Sequence, residues 1–260
     1  MKAIHGAKAK SDRIDSGKIA VLVRGGLMPV AYAYPADMRA TRDLMRRRLL
    51  FVRQRGSLLA HIQITHHQYN VAPPGKRITY RSNREGLGEG FEDSSVRHSI
   101  AADLALADHY EVTIGELELA VLRQARIHDP NALALLTSVP GIGKILALTI
   151  LYEIHDIARF PSVRDFASYS RLVKCERTSA GKSLGSGGNK IGNAYLKWAF
   201  SEAAVLFIAK SEQGRTVLTR LERKYGKPKA LSVLAHKLGR AVYYMLARKQ
   251  AFDPQRFATS

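Results

Sequence analysis

Residues 178–192 combine side chains that can act on a phosphate group, because this stretch is rich in hydroxyl groups, glycine and lysine. Its serines and threonine are potential nucleophiles, and Lys182 and Lys190 place positive charge beside them. Gly181, Gly185, Gly187 and Gly188 permit close backbone approach to a ligand. An apolar helix is predicted over 194–207, and a buried helix can hold the preceding loop rigidly. The pattern is typical of a loop that presents a nucleophile or grips a phosphate, and composition alone fits an ordinary glycine–serine connector equally well.

Two carboxylates near the start of the chain are spaced to share a ligand. Asp12 and Asp15 lie three residues apart, so on the predicted helix over residues 8–24 they occupy one face. Carboxylate oxygens suit magnesium, and the pair could hold that ion. The same residues also suit the first turn of a helix, where the helix dipole favours negative charge. Both interpretations stay open on the spacing alone.

The segment 136–147 contains V-P-G-I-G-K and resembles a helix-hairpin-helix element. Gly141 and Gly143 allow a tight turn that exposes N–H groups at a helix N-terminus, and Lys144 adds a cation. Such a turn contacts the phosphate backbone of a nucleic acid without reading its sequence. A hairpin that serves packing alone is the alternative.

Long helices must position these segments, and the fold is predicted to be mainly α. Apolar residues recur at helical spacing over 36–69 and 96–127, and the Pro- and Gly-rich stretch 71–93 separates them as a loop. The two helices predict an antiparallel hairpin or coiled coil. A row of arginines, including Arg46 and Arg47, lies along the first of these helices, opposite its apolar residues. We expect this row to contact nucleic acid, the alternative being a solvated face.

Helix breakers divide the chain into three predicted parts. These are 1–34, a helical hairpin over 35–130 with its loop at 71–95, and a C-terminal part over 131–260 that begins after Asp129-Pro130. Further helices are predicted over 145–154, 160–169 and 230–249. His61, His66 and His67 lack cysteine or carboxylate neighbours at metal-site spacing, so we expect them to be surface or packing residues.

The overall charge restricts the class of partner. The 260 residues include 41 Lys and Arg against 22 Asp and Glu, a formal net charge of +19, and the sequence pI is about 10.2. Such an excess favours a polyanion, nucleic acid above all. A single cysteine, Cys175, fits a reducing compartment. Since no signal peptide or membrane span is evident, we expect a soluble cytoplasmic protein.

Four segments occur in an order that resembles the insertion-sequence-110 transposases, which include the Piv-type DNA invertases. The segments are K-S-D-R-I-D at 10–15, R-A-T-R at 39–42, S-V-P-G-I-G at 138–143, and the block at 178–198. The resemblance covers almost the whole chain. It implies an N-terminal RuvC-like (RNase H-like) α/β domain, a helical coiled coil and a C-terminal transposase domain with a serine.

The resemblance also implies residue roles. Ser179 matches the family's catalytic serine, which would attack a DNA phosphodiester and form a covalent protein–DNA intermediate. Thr178, Ser183 and Ser186 match this role less well. Asp12 and Asp15 match the last two of four acidic residues that bind magnesium. Expected partners are DNA, further copies of the chain in a dimer or tetramer, and, as in some members, a structured bridge RNA.

The chain departs from the family pattern at its start. The family's first two acidic residues lie upstream of the segment matched by 10–15, and no residue here matches them. We therefore expect either an upstream start or a truncated copy with a remnant of the RuvC-like domain, and little recombination by this polypeptide alone. A non-catalytic nucleic-acid-binding protein and a RuvC-like nuclease without serine chemistry are the alternatives.

Overall fold

The chain divides into two compact units, Met1–Pro35 and Ala36–Ser260. This structure is a computed structural model that describes residues 11–28, 31–174, 176–186 and 191–259. In the first unit, helix α1 spans Asp12–Arg24, and the Ile14 amide donates to the capping Ser11 hydroxyl at 3.3 Å. Since no strand occurs among the described residues of this unit, the α/β remnant remains a prediction.

The second unit opens with two long helices, α2 over Ala36–Gln68 and α3 over Ser94–His128. The polar side-chain contacts between them run in opposite order along the two sequences. They are Arg48–Glu118 at 2.6 Å, Arg55–Glu111 at 3.6 Å and His61–Asp103 at 2.6 Å. The helices are therefore antiparallel, which confirms the predicted helical hairpin.

The connecting segment is a loop, as predicted, with one 3₁₀ turn over Arg81–Asn83. Arg84 fastens it to α3, because its buried guanidinium donates to Ile78 O at 2.9 Å and pairs with Asp108 and Glu111. The apolar face of this loop, Ile78 and Phe91, joins the core between α2 and α3.

The remaining chain folds into a series of further helices and a β-hairpin. In order these are α4 Pro130–Thr137, α5 Lys144–Ile154, a 3₁₀ turn Ile157–Arg159, α6 Val163–Tyr169, β1 Glu176–Ser179, β2 Lys182–Ser186, α7 Ala194–Lys210, α8 Glu212–Tyr225, α9 Lys227–Arg248 and α10 Pro254–Thr259. The mainly α prediction is confirmed. No helix in the described ranges combines the length and hydropathy that a membrane crossing requires.

Helices α5 and α7 form the centre of this part. Residues 146–154 of α5 are all buried, and α7 buries a continuous stripe that ends at Phe207, as its apolar sequence predicted. Helix α8 was not predicted, because its sequence is mostly polar; in the structure it buries Gly214 and Val217. Helix α9 begins three residues earlier than predicted, since proline is tolerated in a first turn.

Candidate functional site

Ser179 is the last residue of strand β1 and lies at the exposed tip of a β-hairpin. Ala180 and Gly181 form the two-residue turn with φ of 49° and 74°. Positive φ at both turn positions defines a type I′ turn, whose twist matches that of paired strands. The expected loop is therefore a hairpin. The prediction missed it because alanine is an unusual residue at the first position of such a turn.

Lys182 follows the turn and pairs with Ser179 across the hairpin. Residues directly opposite each other in antiparallel strands point their side chains to the same face. Both residues are exposed. A phosphate approached by the Ser179 hydroxyl can thus also be approached by the Lys182 ammonium group. The other predicted lysine of this stretch, Lys190, lies outside the described residues.

The chain that leaves the hairpin is clamped where it enters α7. Gly192 has φ of +95°, and a Cβ there would lie 2.5 Å from the Tyr169 carbonyl oxygen. Asn193 caps α7, since its Oδ1 accepts from the amides of Tyr195 at 2.9 Å and Leu196 at 3.1 Å. The backbone N–H of Asn193 donates to the Tyr169 carbonyl oxygen at 2.6 Å. Hence α6 and α7 hold this end of the connection rigidly.

A buried carboxylate ties this cap to two other helices. Glu153 of α5 is 4% exposed and accepts from Asn193 Nδ2 at 2.6 Å. Arg46 of α2 donates to both of its oxygens, from Nε at 2.7 Å and Nη2 at 2.7 Å. These hydrogen bonds raise the pKa of the Arg46 guanidinium despite its partial burial. The Glu153 cluster, defined as Glu153, Arg46 and Asn193, joins α2, α5 and α7 at the base of the hairpin connection.

This cluster changes the interpretation of Arg46, which was predicted to contact nucleic acid. Two of its guanidinium nitrogens are occupied by Glu153, and the same group lies 4.8 Å from the ring centroid of Tyr195. Arg48 and Arg55 likewise pair with acidic residues of α3. Much of the arginine row therefore fastens helices together, a role that was not predicted because its acidic partners are distant in sequence.

Arg47 and Arg53 differ from these arginines. Both are exposed, and within the described part of the chain no carboxylate lies at ion-pairing distance from either. They line an open groove of about 410 Å³ between α2 and the start of α7. Its other lining residues are Asp43, Arg46, Leu49, Leu50 and Tyr195. Two unpaired guanidinium groups beside an aromatic ring can bind a phosphate and stack a base.

The predicted turn 138–143 lies between α4 and α5. Gly141 is buried with φ of +93°, and a Cβ there would lie 2.5 Å from the Phe207 amide nitrogen, so its backbone packs directly on α7. Gly143 and Lys144 are exposed at the N-terminus of α5. Gly143 is the N-cap residue, and no side-chain hydrogen bond caps this helix. The turn thus offers its outer half to a ligand and uses its inner half for packing.

Asp12 and Asp15 lie in the first turn of α1. Asp12 is exposed and Asp15 half-buried. The described residues contain no group of three or more His, Cys, Asp or Glu side chains placed to hold a metal ion. Magnesium commonly takes one or two carboxylates and completes its shell with water and substrate phosphate, so this pair fits part of a magnesium site.

The histidines singled out in the sequence have structural surroundings. His66 is buried, with Nδ1 2.8 Å from the Ile62 carbonyl oxygen, and His61 lies 2.6 Å from Asp103. His67 is exposed. The expectation of packing and surface histidines agrees with these contacts.

Comparison with known proteins gives consistent matches. Residues 133–218 match the model of the Transposase IS116/IS110/IS902 family. The putative transposase y4qE of Sinorhizobium fredii is 26% identical over 248 residues, which cover 94% of this chain and 60% of that protein. The transposase for insertion sequence element IS1111A of Coxiella burnetii is 22% identical over 253 residues, or 94% of this chain and 68% of that protein. The chain therefore spans only 60% and 68% of the length of these two relatives.

Proposed function

Since the chain belongs to the IS116/IS110/IS902 transposase family, we propose that it derives from a DNA recombinase in which Ser179 is the nucleophile. The observation that carries this proposal is the position of Ser179 at an exposed hairpin tip inside the segment matched by the family model. A nucleophile for a DNA phosphodiester must be accessible to a large substrate and yet be held in place. The hairpin gives access, and the Glu153 cluster fixes the following helix.

The proposed reaction is a transesterification. The Ser179 oxygen attacks the phosphorus, an O–P bond forms, and the hydroxyl proton passes to solvent. The bond to one DNA oxygen breaks, and that oxygen leaves with the electron pair and takes up a proton. Attack of another strand's hydroxyl on the Ser179 phosphodiester reverses these steps and rejoins the DNA.

The chain's own cations and turn would hold the DNA. Lys182 lies beside the nucleophile and would contact the reacting phosphate, while Arg47 and Arg53 would contact the backbone in the groove. The exposed half of the turn, Gly143 and Lys144, would bind a further phosphate in the manner of a helix-hairpin-helix element. Asp12 and Asp15 would hold magnesium, which supplies charge neutralisation at a phosphate when bound.

We further propose that this 260-residue chain binds DNA but recombines it poorly by itself. Among the described residues, no group of three or more potential metal ligands surrounds Asp12 and Asp15, and no side chain hydrogen-bonds to the Ser179 hydroxyl to activate it. Non-catalytic nucleic-acid binding is the second candidate function. The unpaired Arg47 and Arg53 favour it, because their groove needs no chemistry to bind a phosphate. Assembly as a dimer or tetramer and use of a bridge RNA belong to the proposal as well.

The test incubates the purified chain with labelled duplex DNA and Mg²⁺. Native electrophoresis measures binding, and denaturing electrophoresis measures covalent protein–DNA species. The expected result is binding by wild type and Ser179→Ala alike, with little covalent product. Robust Ser179-dependent product would refute the proposed inactivity, cleavage that survives Ser179→Ala would refute the serine mechanism, and absence of binding would refute both candidate functions.

A further inference from the structure

The corner between α8 and α9 concentrates positive charge outside the segment matched by the family model. Residues 223–229 read R-K-Y-G-K-P-K, so four of the seven are Lys or Arg and none is acidic. All seven are exposed. Gly226 makes the turn with φ of +78°, and it serves both as the C-cap of α8 and as the N-cap of α9. We name residues 223–229 the basic corner.

The cations of the basic corner have no acidic partners. Among the described residues, no carboxylate lies within ion-pairing distance of Arg223, Lys224, Lys227 or Lys229. Arginines that hold this fold together behave differently, since Arg46, Arg48 and Arg84 each contact an acidic residue. These three arginines are thus paired with acidic residues. The cations of the basic corner repel one another instead, which costs stability until a polyanion neutralises them.

Tyr225 orders part of this charge. The ammonium groups of Lys224 and Lys229 lie 5.3 Å and 5.2 Å from the centroid of its ring. A ring holds cations at such distances through its quadrupole, which limits the freedom of the two long side chains. Less entropy is then lost when these lysines bind a ligand. The corner therefore presents charge that is already gathered in one place.

We propose that the basic corner is a nucleic-acid-binding surface that grips the phosphodiester backbone. A chain of phosphates provides regularly spaced negative charges, and several closely spaced lysines release its bound counterions together. An anionic membrane fits less well, because Tyr225 and Pro228 are the corner's only apolar side chains and do not form an apolar face that could insert into lipid. The inference rests on the proposed function only for the class of partner and requires no serine chemistry.

The test compares a corner variant, Lys224→Gln/Lys227→Gln/Lys229→Gln, with a control that removes equal charge from scattered exposed positions, Lys76→Gln/Lys210→Gln/Lys249→Gln. The probes are a DNA duplex and an RNA hairpin of equal length, each titrated between 50 and 200 mM salt and followed by fluorescence anisotropy. Loss of three phosphate contacts should make the slope of log affinity against log salt shallower by about 2.7. The wild type should therefore lose its advantage in affinity over the corner variant by about 40-fold when the salt is raised from 50 to 200 mM.

The control should keep a slope close to that of the wild type, and Lys→Arg substitution at the three corner positions should preserve binding. A larger slope change on DNA or on RNA identifies which backbone is bound. Equal slopes for corner and control variants would overturn the inference and leave the proposed function standing, whereas a wild type that binds neither probe would overturn both. Anionic lipid vesicles serve as a third probe, and a corner variant that loses affinity for them alone would refute the nucleic-acid assignment.

Discussion

The Glu153 cluster predicts an unequal response to the loss of its two charged members. Arg46→Met leaves the Glu153 carboxylate 4% exposed, with only Asn193 Nδ2 as a donor from the cluster. Stranding a buried charge typically costs about 3–5 kcal/mol of unfolding free energy. Glu153→Gln instead leaves Arg46 without its acidic partner, but the Arg46 side chain is 34% exposed and can reorient towards solvent. We expect that variant to lose only about 1–2 kcal/mol.

Chemical denaturation of the purified variants measures these free energies. Arg53→Met is the matched control, since it removes an unpaired arginine from the same helix and should cost less than about 0.5 kcal/mol. The double variant Arg46→Met/Glu153→Gln should be more stable than Arg46→Met alone, because the buried charge is then gone. A cost for Arg46→Met equal to that of Arg53→Met, or below that of Glu153→Gln, would refute the role assigned to the cluster.

Three further predictions concern the packing of Gly141, the ionisation of Tyr152 and the salt dependence of DNA binding. Gly141→Ala should lose about 3 kcal/mol or more of stability, because its Cβ would lie 2.5 Å from the Phe207 amide nitrogen, whereas Gly143→Ala, whose Cβ meets nothing within 4 Å, should cost under about 1 kcal/mol. Denaturation curves of equal midpoint would exclude the packing of Gly141 on α7. Burial raises the pKa of Tyr152 to about 12 from 10.0. Because the tyrosine loses its proton at a lower pH in the unfolded chain than in the folded one, the free energy of unfolding should fall as the pH rises between these two pKa values. In Tyr152→Phe this contribution to the fall should be absent. DNA affinity should drop steeply with salt, with a log–log slope of about −5 for six phosphate contacts, and a flat dependence would contradict nucleic-acid binding.

The sequence predicts elements with strong local signals. Helices α2, α3 and α7 follow from apolar periodicity, and the turn at Gly141 follows from its proline and glycines. Helix α8 and the hairpin around Ser179 are not predicted in this way. Helix α8 has few apolar residues, and alanine, here Ala180, is atypical at the first position of such a turn. The Glu153 cluster joins residues 107 positions apart in the chain. Its only local signals are a lone acid within the apolar helix α5 and an asparagine directly before α7.

The assignment of Ser179 as the nucleophile can be tested by disulfide trapping, which requires no catalysis. Ser179→Cys, in a Cys175→Ser background, is mixed with DNA that carries a disulfide-tethered phosphate, and cross-linking is followed over time. Ser57→Cys, at an exposed position on α2, is the control. If Ser179 lies against the phosphodiester in the complex, its cysteine should cross-link at least about tenfold faster than the control. Equal rates for the two cysteines, with DNA binding intact, would contradict the assignment of Ser179 as the nucleophile.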